Sequence, residues 1–477
     1  LAQPVIFWFR QDLRLSDNPG LQAALTHCRN EGAPLIPVFI DDEHMGRRPG
    51  RMSLWWRDAA LAALDAALRQ RGSRLLYLTG KTAPSLTRLI DSAKAGAVYW
   101  NRQYDAPSVE HDTALKADLR ARGLFAESRN ALLMFEPWEI KGKTSNGPMR
   151  VFTPFWKRCR EIGLPEELSP APDTIPTPDI WPESEPLPQT PPHEAADLLA
   201  QWMPGETGAA LALDNFLHSN GHGYAEKRDL PAIDATSRLS PHLRWGDISP
   251  QRIAHEASGS RLSPLDKDKF LAELGWREFA YHLMFHNPKI GDAPLQKKFE
   301  AFPWRDDDAV EQDLQDWQNG RTGYPIVDAG MRELKRSGYM HNRVRMICAS
   351  FLVKHLLIDW RHGEAWFWDR LNDADPANNT ASWQWVAGCG ADAAPYFRIF
   401  NPITQGSKFD AEGVYTKAYV PELAGLSGKT LFAPWEAKQD LLAKAEVEIG
   451  ATYPAPIVDH KQARERALES FGSLSSS

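Results

Sequence analysis

Val5-Ile6-Phe7-Trp8-Phe9, an unbroken apolar run near the start of the chain, decides how the first part of the protein folds. The run is short, β-branched at first and aromatic after. That composition reads as a strand covered on both faces. Comparable runs follow at Leu35 to Ile40, Leu75 to Leu78 and Ala97 to Trp100. Between them, Ser53 to Arg69 and Ala83 to Ala93 carry helical periodicity. Strand–helix alternation predicts a parallel, Rossmann-like α/β domain over residues 1–130. It contains neither GxGxxG nor GxxxxGK[ST], so dinucleotide and triphosphate sites of those types are not supported.

Residues 131–195 read as a linker. Ten prolines fall between Pro165 and Pro192, too many for long helices or strands. From 196 to 477 the pattern is helical. Leu211 to Ser219, Pro250 to Glu256, Lys267 to Phe285, Ile326 to Lys335 and Asn342 to Leu357 place apolar residues three and four apart. A large all-α domain is expected there.

The net charge of -7 argues against a molecule that binds nucleic acid over its whole surface. One stretch departs from that balance. Between Met331 and Arg361 lie Arg332, Lys335, Arg336, Arg343, Arg345, Lys354 and Arg361 against Glu333 and Asp359. It marks either a local anionic partner or a solvated helix face. Cys28, Cys159, Cys348 and Cys389 show no CxxC spacing, which fits a reducing cytosol and predicts no metal site. No apolar run nears the roughly 18 residues that span a membrane.

Chemistry-bearing residues gather in the helical part. Asn372 to Trp385, NDADPANNTASWQW, sets two carboxylates, paired amides and two tryptophans together. Such residues could hold a redox cofactor and pass electrons to it, or could be ordinary core aromatics among 18 Trp. Ala235 to Pro250, ATSRLSPHLRWGDISP, offers hydroxyls at Thr236, Ser237 and Ser240, with Ser240 expected as an N-cap before Pro241. In AELGWREF, Glu273 and Trp276 share a helix face, and Arg277 lies four residues from Glu273.

TSRLS, WREF, GRTGYPIVDAGMREL, MHNRVRM, DADPANNTASWQW and DAAPYFRIFNPITQGSKFD, with FWFRQDLRLSDNPGL at the start, closely resemble the DNA photolyase and cryptochrome family. The resemblance covers essentially the whole chain. It implies FAD in the helical domain, held by Tyr224, Thr236, Ser237, Arg238, Leu239, Ser240, Arg277, Asn342, Arg345, Asp373 and Asp375, with Asn379 against flavin N5. It implies an electron relay from Trp383 through Trp360 to Trp304. Trp317 is the alternative last member, and Trp366, Trp368 or Tyr396 could form a branch.

Within the family, the residues favour repair of cyclobutane pyrimidine dimers in ultraviolet-damaged DNA, as in bacterial class III enzymes. Asn379 stands where plant cryptochromes carry Asp. Trp385 stands where they carry Tyr. Asn342 and Met346 occupy a stretch where (6-4) photolyases use histidines. A cryptochrome-type photoreceptor and a (6-4) photolyase are the alternatives. The resemblance assigns Glu273 to the dimer edge, Trp276 and Trp385 to stacking walls, and Asn342, Arg343, Met346 and Arg398 to DNA contact. It implies an antenna, methenyltetrahydrofolate or alternatively a deazaflavin. Yet Pro107 and Ser108 follow Asn101-Arg102-Gln103-Tyr104, where folate-binding relatives carry an Asn-Glu pair. A cytoplasmic bacterial monomer is expected.

Overall fold

The computed structural model describes residues 2–142, 147–163, 168–189, 200–392 and 397–474. Contacts divide the chain into two units. The first is Leu1–His222, Ser237–Pro288 and Asn372–Ala377; the second is Gly223–Thr236, Lys289–Leu371 and Asn378–Ser477.

The first unit contains a sheet of β1 (Val5–Phe9), β2 (Leu35–Asp41), β3 (Leu76–Thr79), β4 (Ala97–Asn101) and β5 (Phe125–Arg129). The order is β3-β2-β1-β4-β5, and every pairing is parallel. Helices α1 (Pro19–Glu31), α2 (Arg51–Arg69), α3 (Thr82–Ala93) and α4 (Ala106–Ala121) connect the strands. This is the expected Rossmann-like arrangement, and all of β1 is buried. Ile6 and Trp8 join Ile36, Val38 and Val98 in one apolar cluster. Each such side chain contributes about 1.5–3 kcal/mol when buried.

The stretch expected as a linker is more ordered than its prolines suggested. It contains helix α5 (Phe152–Ile162). The Ile175 N–H donates to the Arg71 carbonyl at 3.2 Å, and the Leu35 N–H donates to the Pro176 carbonyl at 2.8 Å. Glu185 bridges antiparallel to Tyr77. Prolines cannot donate, but their neighbours can cover the unpaired edge of β3. Residues 143–146, 164–167 and 190–195 of this stretch lie outside the described residues.

Behind β1 the chain turns through a buried polar loop. The Asn101 amide donates to Asp12 at 2.5 Å and to Asn18 at 2.7 Å. Asn18 caps α1 by accepting from the Leu21 N–H. A Cβ on Gly20 would stand 2.5 Å from Asn101 Oδ1, so this approach requires glycine. The buried Arg14 guanidinium donates to the carbonyls of Asp17, Ala131 and Gly246. It ties the sheet to the segment beginning at Ser237.

That segment includes the helix Pro264–His286. Its Glu278 carboxylate accepts from the Met134 N–H at 2.8 Å, the Phe135 N–H at 3.1 Å and Arg277 Nη1 at 3.3 Å. Burial dominates over these partners and pushes the carboxyl up to about 7.

The second unit is helical among its described residues. Its helices include Pro325–Ser337, Asn342–Ser350, Trp360–Arg370, Pro376–Ala387 and His460–Ser473, although the first residues of Pro376–Ala387 belong to the first unit. The helix expected over Asn342 to Leu357 widens at Phe351–His355 into a π turn, where the Leu356 N–H reaches back to Phe351 O at 3.1 Å. The basic stretch is not one solvated face. Lys354 is buried and donates to Ala387 O at 2.9 Å, while Arg332 and Arg343 pair with Glu422 and Asp229, each at 2.7 Å. No described helix is long and apolar enough to cross a membrane.

Glu278 gives stability a pH dependence of known sign. A raised folded-state pKa favours the protonated fold. Its contribution is complete below about pH 4.5 and is lost as pH rises toward about 7. Urea unfolding at several pH values should show a smaller decline across this window in Glu278→Gln, by up to about 3 kcal/mol. Parallel pH profiles in parent and variant would contradict it.

Candidate functional site

In the first unit, three groups grip the Asp373–Asp375 loop. Ser240 Oγ donates to Asp373 Oδ2 at 2.6 Å. Arg244 Nε donates to Ala374 O at 2.5 Å, and the Tyr281 hydroxyl donates to Asp375 Oδ2 at 2.5 Å. Burial, reinforced by the Asp375 charge, pushes the Tyr281 phenol well up and keeps it a donor. Asp375 Oδ1 accepts from the Ala377 N–H at 3.0 Å, opening the next helix.

Ser240 is not the N-cap the sequence suggested. Leu239 holds that position, and Ser240 is the first residue of the short helix Ser240–Trp245. Its hydroxyl serves Asp373 instead. Arg238, at φ +53, turns the chain immediately before and lies 4.9 Å from the Trp202 ring. Ser237 and Arg238 are half-buried, and Leu239 is buried.

Helix Pro264–His286 carries Glu273, half-buried, and Trp276, exposed on the same face. Arg277 is buried. Its Nη1 donates to Leu132 O at 2.9 Å, while Nη2 has no hydrogen-bond partner among the described residues. The Trp276 ring stacks on Phe152.

In the second unit, Tyr224 is buried and Thr236 half-buried. Asn342 is exposed at the start of its helix, and His341 caps that helix by accepting from the Arg343 N–H at 3.2 Å. Burial pushes the His341 imidazole down to about 4, which keeps that nitrogen an acceptor. Arg343 is held by Asp229 and lies 4.4 Å from the Phe409 ring. Arg345 Nε donates to Met340 O at 2.6 Å. Met346 and Trp385 are half-buried, and Arg398 is exposed beside the Phe400 ring. Tyr396 lies outside the described residues.

Asn379 has a partner that sequence reading missed. Its Nδ2 donates to Glu364 Oε1 at 2.8 Å and to Glu364 O at 3.0 Å. The carboxylate only accepts in this role, so the amide orientation is fixed and Oδ1 is its acceptor end. Glu364 lies on helix Trp360–Arg370, four residues after Trp360. The signal available in the sequence was a carboxylate at the middle of a tryptophan-rich helix.

Trp383 packs onto that same helix. A Cβ on Gly363 would stand 2.1 Å from the Trp383 ring. The nearest aromatic centroids include Phe367 at 5.0 Å and Trp317 at 6.2 Å. Trp317 is fully buried. Trp360 opens the helix and is buried, while Trp304 is half-buried against Phe302. Trp317, expected as the alternative last member of the relay, is instead fully buried and in edge contact with Trp383, so it does not occupy a surface end. Trp366 is half-buried and Trp368 buried on the Trp360 helix.

Two family profiles match the chain. "DNA photolyase" covers residues 5–178, and "FAD binding domain of DNA photolyase" covers residues 270–473. The deoxyribodipyrimidine photo-lyase of Agrobacterium fabrum is 49% identical, over 99% of this chain and 98% of the relative. The chain belongs to the DNA photolyase and cryptochrome family. A bacterial class III photolyase structure from Agrobacterium tumefaciens aligns with a TM-score of 0.95 at 49% identity, covering 100% of this chain and 98% of the other. Cryptochrome-1 of Arabidopsis thaliana is 35% identical over 98% of this chain and 70% of its own length.

The residues fit the FAD that this family binds. The unmatched Arg277 Nη2 suits an anionic or carbonyl-rich group, and Asn379 Oδ1 suits an N–H donor. Among the described residues no cluster could hold a metal ion, and all four cysteines are buried and free. Asn101 and Tyr104 serve internal bonds. Asn101 holds Asp12 and Asn18, and the Tyr104 hydroxyl donates to Glu136 at 2.7 Å.

Tyr281→Phe deletes the donor to Asp375. Loss of a buried bond to a carboxylate should lower stability by about 1–3 kcal/mol and loosen the Asp373–Asp375 loop. Urea unfolding with and without bound flavin checks both effects. An unchanged midpoint in both would contradict the grip.

Proposed function

We propose that this protein repairs cyclobutane pyrimidine dimers in ultraviolet-damaged DNA under blue light, as a class III-type photolyase. The observation that carries the reading is the Asn379 amide, fixed by Glu364 with its oxygen as the acceptor end. An N5–H of reduced flavin can donate to that oxygen. Aspartate at this position would bring a negative charge instead. A cryptochrome-type photoreceptor is the nearest functional alternative, and Asn379 argues against one of the plant type.

When bound and reduced, FAD supplies an excited electron to the dimer and regains it after the ring opens. The chain's own residues do the rest. In the first unit, Ser237, Arg238, Leu239, Ser240, Arg277, Asp373 and Asp375 would hold polar parts of the cofactor. In the second, Tyr224, Thr236, Asn342 and Arg345 would do so, with Asn379 at N5. A damaged base pair opens at low cost, so the lesion can be flipped out. Trp276 and Trp385 offer flat walls, worth about 1–3 kcal/mol per stacked base. Glu273 would hydrogen-bond the carbonyl and N–H edge of the dimer. Asn342 and Met346 would contact the lesion. Arg398 would hold a flanking phosphate, and Arg343 would do so by exchanging its Asp229 partner.

Trp383 is the electron entry to oxidised flavin. Trp360 and Trp304 would continue the relay, and the edge contact of Trp317 supports a second route. Methenyltetrahydrofolate is the proposed antenna, with a deazaflavin as the alternative. Because Pro107 and Ser108 stand where folate-binding relatives carry an Asn-Glu pair, it would sit elsewhere than at that usual folate site. The buried free thiols suit a bacterial cytoplasm, and one chain carries all the named parts, as a monomer would.

Blue light and reduced protein should restore thymines in an oligonucleotide carrying one cyclobutane dimer and leave a (6-4) lesion intact. The reverse selectivity would overturn the reading, and a photoreducible flavin without lesion turnover would favour signalling. Trp383→Phe should abolish photoreduction of the oxidised flavin while enzyme reduced beforehand still repairs. Equal loss of both activities would remove Trp383 from the relay.

A further inference from the structure

Trp276 does not stand alone on its helix. The Phe152 ring lies against it with centroids 3.7 Å apart and planes 8° apart. Phe279 meets both rings, at 6.0 Å and 66° to Phe152 and at 5.9 Å and 71° to Trp276. Phe152 is 9% exposed and Trp276 is 36% exposed. The smaller ring is therefore the buried support, and the indole is the outer surface. With one indole face covered, its exposed area belongs to the other face and the edges.

The backbone is built for this contact. Phe152 is the first residue of α5. Gly275, immediately before Trp276, lets α5 come close: a Cβ there would stand 2.6 Å from the Trp156 ring. Any larger residue would separate the two helices and pull Phe152 off the indole. A side chain with two free torsions loses rotamer freedom when it stacks on a ligand. Here the protein has already removed that freedom.

We propose that Phe152 is a positioning residue for lesion recognition, holding the Trp276 indole in one orientation so that its open face receives the flipped pyrimidines. The inference rests on the reading of Trp276 as a lesion wall. Phe152 touches no DNA. It acts by pre-organising the indole, which lowers the ordering cost of binding.

The test uses FAD-loaded full-length protein and measures affinity for a dimer-containing oligonucleotide and its undamaged counterpart. Phe152→Ala should weaken dimer binding roughly three- to tenfold, the worth of an aromatic pair, and leave undamaged binding and flavin content unchanged. Phe152→Tyr keeps the flat ring and should bind the dimer within about twofold of the parent. Phe152→Leu keeps apolar bulk without the ring and should resemble the alanine variant; it also serves if Phe152→Ala folds poorly. In the double variant with Trp276→Ala, the Phe152 effect should vanish, because the two act as one unit. Parental dimer affinity in Phe152→Leu, or equal losses for damaged and undamaged DNA, would overturn the proposal while leaving the Trp276 reading intact. Parental dimer affinity in Trp276→Ala would overturn both.

Discussion

The carboxylate of Glu364 determines what Asn379 can present. An amide has a donor end and an acceptor end of nearly equal shape, and without a fixed partner it can turn either outward. Two acceptors from one residue, a carboxylate oxygen and a backbone carbonyl, hold its NH2 group. The oxygen is left as the acceptor end. The helix Trp360–Arg370 therefore does two jobs. At Glu364 it fixes the amide, and at Gly363 it seats the Trp383 ring. The amide proposed to tune the flavin and the indole proposed to deliver electrons share one support.

The first unit applies the same logic to its carboxylates. Asp373 and Asp375 lie on a loop that could adopt many shapes. Ser240, Arg244 and Tyr281 each remove some of that freedom through a hydrogen bond from a different place in the chain. Arg14, buried with three backbone carbonyls as acceptors, anchors the same segment to the sheet. Pre-organised polar groups do not have to be reordered when a ligand arrives, which is how a protein makes a cofactor's chemistry specific.

Much of the fold was legible in the sequence, and the limits were physical. β1, β2 and β4 are apolar runs because a central parallel strand is covered on both faces, and the edge strand β3 is recognisable because Leu76, Tyr77 and Leu78 are all apolar. β5 escaped notice because Phe125-Ala126-Glu127-Ser128-Arg129 is an edge strand with one large apolar residue, itself 48% exposed. Helix α4 was hidden by its even mix of polar and apolar residues. At the site, resemblance named Asp373, Asp375, Asn379 and Trp383. It did not give their partners. Glu364 and Tyr281 lie 15 and 94 residues from the groups they hold, and no local pattern encodes such pairings. Ser240 departs from the expected capping role for the same reason, since the acceptor that claims its hydroxyl is remote in sequence.

The most direct test of this account is the two-electron midpoint potential of bound FAD in the parent and in Asn379→Leu. Leucine matches asparagine in shape but cannot accept from an N5–H. A hydrogen bond worth about 1 kcal/mol to the reduced flavin corresponds to about 20 mV. The potential should fall by at least that amount, with flavin content unchanged. A potential that stays constant or rises would contradict the role given to the amide that Glu364 holds.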